Sequence, residues 1–462
     1  MIDFMKETSK VQIERLLDLQ RNFFTSQATR SLAFRLSALR KLKAYIINHE
    51  ESLANALLAD LHKSNEQGYL TEISVVLQEL KFHIRNLKSW MEPEPVKTPL
   101  HLWPSKSEII SEPKGVVMIM SPWNYPFQLV VNPLIGAISA GCCAIVKPSP
   151  YTPNVALFLE NMIRACFEEQ YVGVVQGEIE TNKHLFAQRF DQIFFTGSPH
   201  MGKVVMRAAA EFLTPVILEL GGKSPCVVDQ TAHIPTAAKR IAWGKTLNAG
   251  QTCIAPDYLY LHESVKTTFI HEYRKALVQF FGENPKESPH YARIVHDAAM
   301  QRLLPYLSEG TCEIGGENDP IDRYIAPTLL TGINENAAIM QSEIFGPILP
   351  VIGFEDLSVV LKSINEGEHP LAAYYFGDKR TANRFKKEVI AGGIGINDVL
   401  LHVANHHLPF GGVGTSGMGT YHGRLSFEAF THRKAVFTSR KKLDIPVKYA
   451  PYPFFKWIKR FI

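Results

Sequence analysis

Cysteine is scarce and unpaired here. The six residues at positions 142, 143, 166, 226, 253 and 312 form no CxxC motif and no spaced framework. In a chain of 462 residues this argues against a disulfide scaffold and for a reducing, cytoplasmic setting. Long basic blocks are also absent, and the net charge is only +4, so nucleic acid is not implied as a partner. The N-terminus, MIDFMKETSKVQIERLLDL, lacks the apolar core of a signal peptide and has the periodicity of a soluble helix. No internal repeat or low-complexity tract occurs. Charge is missing altogether between Lys114 and Lys147, a gap long enough to suggest a membrane span. Pro122, Trp123, Asn124, Pro126, Gln128, Asn132 and Pro133 interrupt it, however. A buried strand, loop, helix and second strand is the better reading.

What is present is ordinary for a globular protein of two or three domains, with 46% apolar and 20% charged residues. Apolar residues recur at helical spacing through residues 5–90, as in Leu32, Leu36, Leu39, Leu42 and Ile46, until Pro93, Pro95 and Pro99 end the run. Residues 98–113 read as extended. From Gly115 to Leu220 the strand-like runs VVMIM, CAIV, VGVV, IFFT and VILEL alternate with helical segments at 153–168 and 199–212. A second alternating set (CVVD, YLYLH, ILPVIGF, AAYYF, GIGIN) fills residues 221–400. Strands alternating with helices imply an α/β fold with parallel sheets, and such sheets bind ligands in the loops at the carboxyl ends of their strands.

The chemistry concentrates in residues 216–256. Glu219 ends an apolar run before Gly221-Gly222, and Cys253 lies 34 positions on in a loop after an amphipathic segment. A thiol and a carboxylate on two such loops read as a nucleophile and a base. The alternative is a small buried hydrophobe and a surface glutamate. Thr196-Gly197-Ser198-Pro199, followed by Gly202, offers an N-cap, a proline at the first helical position and a helix start that suits a pyrophosphate. A structural turn is the other reading. Asn124, in a proline-rich turn, reads alone as a backbone cap, and Lys147 as a sheet-edge charge. Gly412, Gly414 and Gly417 spell GxGxxG, but no apolar strand precedes them and no acidic residue follows at the required distance. His402, His406 and His407 have no acidic or cysteine partner in sequence, so no metal is expected. The tail PYPFFKWIKRFI places Phe454, Phe455, Ile458, Phe461 and Ile462 on one helical face, with Lys456, Lys459 and Arg460 on the other. It reads as a short interfacial helix on a membrane, or as one packed over the chain's own substrate mouth or a partner subunit.

LELGGKSP followed by GQTCIAPDY resembles the aldehyde dehydrogenase superfamily, and in particular its class 3 branch of fatty and aromatic aldehyde dehydrogenases. SPWNYPF (121–127), AIVKPS (144–149), FFTGS (194–198), SEIFGP (342–347) and LPFGGVGTSGMGTYHG (408–423) extend the likeness over roughly residues 10–445. The resemblance implies an NAD(P)-binding domain over 1–97 and 114–220, a catalytic domain over 221–424, and an oligomerisation arm over 98–113 with about 425–445. An amphipathic tail, 446–462, would follow. It implies Cys253 as nucleophile, Glu219 as hydrolytic base and Asn124 as oxyanion donor. Thr196, Gly197, Ser198 and Gly202 become the pyrophosphate loop of NAD or NADP, and Lys147 a ligand of the adenosine ribose. Glu343 and Phe345 hold the nicotinamide ribose and ring, and the 412–417 glycines form a loop closing the site. The implied reaction is oxidation of a medium- or long-chain aliphatic, aromatic or isoprenoid-derived aldehyde to its acid, in a homodimer. A CoA-acylating dehydrogenase and an inactive structural relative are the alternatives. Three positions depart from the family pattern: Cys142 stands where asparagine usually follows the glycine, Pro150 where KPSE has glutamate, and Ser342 where a second glutamate is common.

Overall fold

The uncharged stretch resolves into the strand Val116–Met120, the loop carrying Asn124, the helix Gln128–Ala140 and the strand Cys143–Lys147. It is buried almost throughout because it forms the centre of a sheet covered on both faces. Pro133 lies inside the helix, where its ring removes the N–H that would bond to the carbonyl of Leu129. The Ser121 hydroxyl takes over, donating to that carbonyl at 2.7 Å. The helix ends at Gly141 in the left-handed region, φ +88°, with its N–H returned to Ala137 O at 3.0 Å.

The computed structural model describes residues 7–334, 336–444 and 448–460. One sheet has six strands in the order 417–418, 216–220, 192–197, 116–120, 143–147 and 172–174. All its pairings are parallel except the first. A second sheet has seven strands, in the order 311–314, 328–331, 348–354, 258–262, 225–228, 372–376 and 393–396, antiparallel only at its first pair. Every strand-like run of the sequence lies in one of these sheets. The short strand Gly417–Met418 is a difference. It comes late in the chain but returns to the first sheet and pairs with Glu219 and Leu218.

The helices Lys10–Thr25, Leu32–Asn48, Glu50–Leu61 and Ser74–Met91 make up the N-terminal part. Leu39, Leu42 and Ile46 turn a wholly buried stripe of the second of these onto the core. Residues Glu94–Val96, Lys106–Pro113 and Thr431–Thr438 form a separate three-stranded antiparallel sheet, where eight residues of the last strand pair with the middle one. Leu100, Trp103 and Phe437 stand exposed on or beside it. In the tail the described residues show one helical turn, Phe455–Ile458, with Phe454 and Phe455 exposed. Phe461, Ile462 and the side chain of Ile458 lie outside the described residues, as does the start of the N-terminal segment before residue 7. Among the described residues no helix is long and apolar enough to cross a membrane.

Gly141 shows how tightly the N-terminal helices seat on the sheet. A Cβ there would stand 2.6 Å from the guanidinium of Arg35, which is buried and donates to Thr29 O at 2.9 Å and Ser139 O at 3.0 Å. Gly141→Ala therefore combines a disfavoured φ with a clash against a buried cation. A loss of about 1–3 kcal/mol is expected, read as a lowered unfolding midpoint in urea. An unchanged midpoint would show that the helix end relaxes freely.

Candidate active site

Loops leaving both sheets share one cavity of about 980 Å³. Of the residues singled out in the sequence, Asn124, Thr196, Gly197, Ser198, Glu219, Cys253, Glu343 and Phe345 line it, whereas Lys147 and Gly202 do not. Glu219 is carried on the strand Val216–Leu220, flanked in register by Thr196 on one side and Gly417 on the other. The 412–417 glycine loop therefore runs along the edge of the first sheet, beside Glu219. Its backbone packs so closely that a Cβ on Gly417 would stand 2.5 Å from Leu218 O.

Glu219 is 3% exposed, and neither of its oxygens has a hydrogen-bond partner among the described residues. Burial raises its pKa well above the ordinary carboxylate value, which makes the group a stronger base once it is ionised. Cys253 is partly buried and unbridged. Burial pushes its thiol upward first, and the nearby Glu343 and Glu219 add to the shift, while its own N–H and that of Ile254 act the other way. The helix Ile234–Thr246 delivers this loop through Asn248 and Ala249, both left-handed at φ 53° and 51°. Asn124 is buried, and its Nδ2 donates to Gln251 O at 3.1 Å. A carbonyl acceptor fixes which end of that amide is nitrogen, leaving one N–H uncommitted. Tyr125 and Thr252 join the two loops again through their hydroxyls, at 2.6 Å.

On the other side of the cavity Ser198 caps the helix Pro199–Ala210, accepting from Met201 N at 3.3 Å, with Pro199 in the first helical position. Gly202 sits against Leu220, 2.8 Å from where a Cβ would be. The buried Thr196 hydroxyl has no partner among the described residues. A polar group left unsatisfied beside a helix start suits an incoming phosphorylated ligand. Glu343 packs on Gly221 and accepts from Gly222 N, and its pKa is raised to about 8, chiefly by burial and then by Asp257. Lys223 of the GGKSP run donates to Asp257 Oδ2 at 2.5 Å, and Asp257 Oδ1 accepts from Ile344 N at 2.9 Å. Phe345 holds φ +50° and meets Trp123 edge-on at 5.4 Å.

Lys147 stands at the end of its strand, 4% exposed, with its pKa lowered to about 8 by burial against the pull of Glu7 and Glu178. Those two carboxylates carry no sequence signal, being far from Lys147 in the chain. His406 turns to Glu79 at 2.7 Å, and among the described residues no three metal-ligating side chains converge. Sequence reading also missed the apolar wall formed by Leu70, Val75, Leu129, Trp243, Leu247 and Val403. These residues come from four separate stretches of the chain, and only the fold assembles them.

The model of the aldehyde dehydrogenase family matches residues 2–436. A 4,4'-diaponeurosporen-aldehyde dehydrogenase of Staphylococcus aureus is 46% identical over 95% of this chain and 96% of its own. A dimeric NADP-preferring aldehyde dehydrogenase of Canis lupus familiaris is 42% identical over 91% and 93%. The solved structure of Staphylococcus aureus AldH in its substrate-bound state is similar at TM-score 0.95 and 45% identity, covering 97% of this chain and 99% of that one. The chain belongs to the aldehyde dehydrogenase family.

Proposed function

We propose that Cys253, Glu219 and Asn124 carry out NAD(P)-dependent oxidation of an aldehyde to its carboxylic acid. The observation that carries this assignment is their meeting at one cavity, with a carboxyl group that no protein donor satisfies. The Cys253 sulfur bonds to the carbonyl carbon, and its proton leaves to a base. The uncommitted N–H of Asn124 and the backbone N–H of Cys253 take up the oxyanion. Bound NAD(P) supplies the acceptor for the hydride lost as the oxyanion collapses to a thioester. Glu219 then takes a proton from water, whose oxygen displaces the sulfur and frees the acid. Thr196, Gly197, Ser198 and Gly202 would hold the pyrophosphate, Lys147 the adenosine ribose, and Glu343 with Phe345 the nicotinamide end.

The apolar wall supports a medium- or long-chain aliphatic, aromatic or isoprenoid-derived aldehyde as substrate. The name of the Staphylococcus aureus relative supports the last of these. The protein would act in the cytoplasm as a homodimer, through the three-stranded sheet with Leu100, Trp103 and Phe437 exposed beside it. Exposed Phe454 and Phe455 among tail cations support a peripheral membrane contact.

Two variants test the chemistry. Cys253→Ala is expected to abolish aldehyde-dependent NADH formation, assayed without CoA, while leaving NAD affinity intact. Glu219→Gln should give a burst of NADH near one per site, followed by slow turnover. Retained turnover in the first variant, or an unchanged steady state in the second, would remove that residue from its role.

Cofactor choice gives a further expectation. Pro150, half-buried three residues beyond Lys147, offers no side-chain acceptor for a ribose and no charge against a 2′-phosphate. Both NAD and NADP should serve. Pro150→Glu should shift the ratio of kcat/KM toward NAD about ten-fold, or about 1.4 kcal/mol. Lys147 carries its charge below its pKa of about 8 and loses it above. The NADP:NAD ratio of kcat/KM should therefore fall as pH rises through that value. A ratio flat with pH and unmoved by Pro150→Glu would mean that neither residue sets the preference.

A further inference from the structure

Behind the cavity wall lies an ion pair that the chemistry above does not use. Lys63 follows the helix Glu50–Leu61, and Glu72 sits in a single π-turn, Tyr69–Ile73. Both side chains are fully buried, and they meet at 2.6 Å. Neither has an unsatisfied atom. Lys63 Nζ donates to Glu72 Oε1 and to the backbone carbonyl of Asn124 at 2.8 Å, and it stands 4.1 Å from the centre of the Tyr125 ring. Glu72 Oε2 accepts from Phe127 N at 2.9 Å and Gln128 N at 3.0 Å. The pair therefore grips the loop at Asn124 and over the four residues that follow it.

The grip extends to the cysteine loop. Asn248 Nδ2 donates both to Asn124 O, at 2.8 Å, and to Gln251 O, at 3.1 Å. Gln251 O is the acceptor for the Asn124 side chain. Gln251 is held in turn by Asn248 O at 3.0 Å, Arg293 O at 2.9 Å and Val295 N at 3.0 Å. The Asn124 carbonyl thus has both lone pairs filled, by Lys63 and by Asn248. One amide N–H is fixed on a carbonyl two residues before Cys253, and only the other N–H is left for the cavity. Such an amide is preorganised, since binding an oxyanion needs no reorientation.

We propose that Lys63 is a positioning residue for aldehyde oxidation, which with Glu72 and Asn248 fixes the Asn124 amide relative to Cys253. Cost and geometry both favour this over mere packing. A buried ion pair seldom adds stability over apolar residues of the same volume, so its contribution lies in where it places its partners. Misplacing a reacting or stabilising group by about 1 Å costs about 10²-fold in rate. The inference rests on Asn124 being the oxyanion donor.

The test is a double-mutant cycle on pre-steady-state hydride formation, with NAD affinity measured alongside. Asn124→Ala should slow hydride formation about 10²–10³-fold. Lys63→Met should slow it about 10–100-fold while the Kd for NAD stays within about two-fold of wild type. The combined variant should be no slower than Asn124→Ala alone, because the lysine acts only through that amide. Lys63→Met leaves the Glu72 charge buried and unpaired, which works against folding. Lys63→Met with Glu72→Gln removes the charge yet keeps an acceptor for the loop N–H groups, and it carries the same cycle. Rates that multiply in the combined variant would overturn the positioning role and leave Asn124 in place. No slowing in Lys63→Met or in the neutral pair would also overturn it. Asn124→Ala within ten-fold of wild type would remove the oxyanion assignment and the inference with it.

Discussion

Taking the Lys63 ammonium and the Glu72 carboxylate out of water is among the most expensive things this chain does. Each would cost several kcal/mol if buried alone. Together they are tolerable because each N–H and each oxygen has a partner: the other charge, the Asn124 carbonyl, a tyrosine face, and two backbone N–H groups. The arrangement couples three parts of the molecule. The N-terminal helices supply the charges, the first sheet supplies the loop of Asn124, and the Asn248 turn ties that loop to the one bearing Cys253. Loosening the Asn248 turn would leave the two loops tied by the Asn124–Gln251 and Tyr125–Thr252 bonds alone among the described residues.

The site in front of that clamp is built on the opposite principle. Glu219 has no donor at all, Glu343 has one backbone N–H, and Cys253 is enclosed beside both. Burial drives all three toward their neutral forms. A stable protein gains nothing from an unsatisfied carboxyl at the end of a central strand, and such local violations belong where chemistry is done. Full satisfaction behind and deliberate dissatisfaction in front are complementary: the first keeps the second from collapsing onto a convenient partner.

Much of this was legible in the sequence. The apolar runs are strands because they are short, β-rich and bounded by turn formers, and each took its place in a sheet. Ser198 and Pro199 announced a helix start because their side-chain chemistry is local. What stayed hidden was non-local. The helix around Pro133 was expected, but not the Ser121 hydroxyl that replaces its missing donor. Gly417 and Met418 could not be assigned to the first sheet, because pairing with Glu219 and Leu218 spans nearly two hundred residues. Nothing in the sequence singles out Lys63 and Glu72, whose loop partners lie more than fifty residues away. The apolar wall, drawn from Leu70 through Val403, exists only once separate segments are folded together.

The enclosure of Cys253 has a consequence for the lifetime of the protein. Peroxides and environmental electrophiles attack thiolates, not thiols. A sulfur that burial and two flanking carboxyl groups hold in its protonated form presents little of the vulnerable species while the enzyme idles. The same burial that makes this thiol reluctant to ionise thus acts as a preservative. No disulfide guards Cys253 among the described residues, so its protection rests on that enclosure alone.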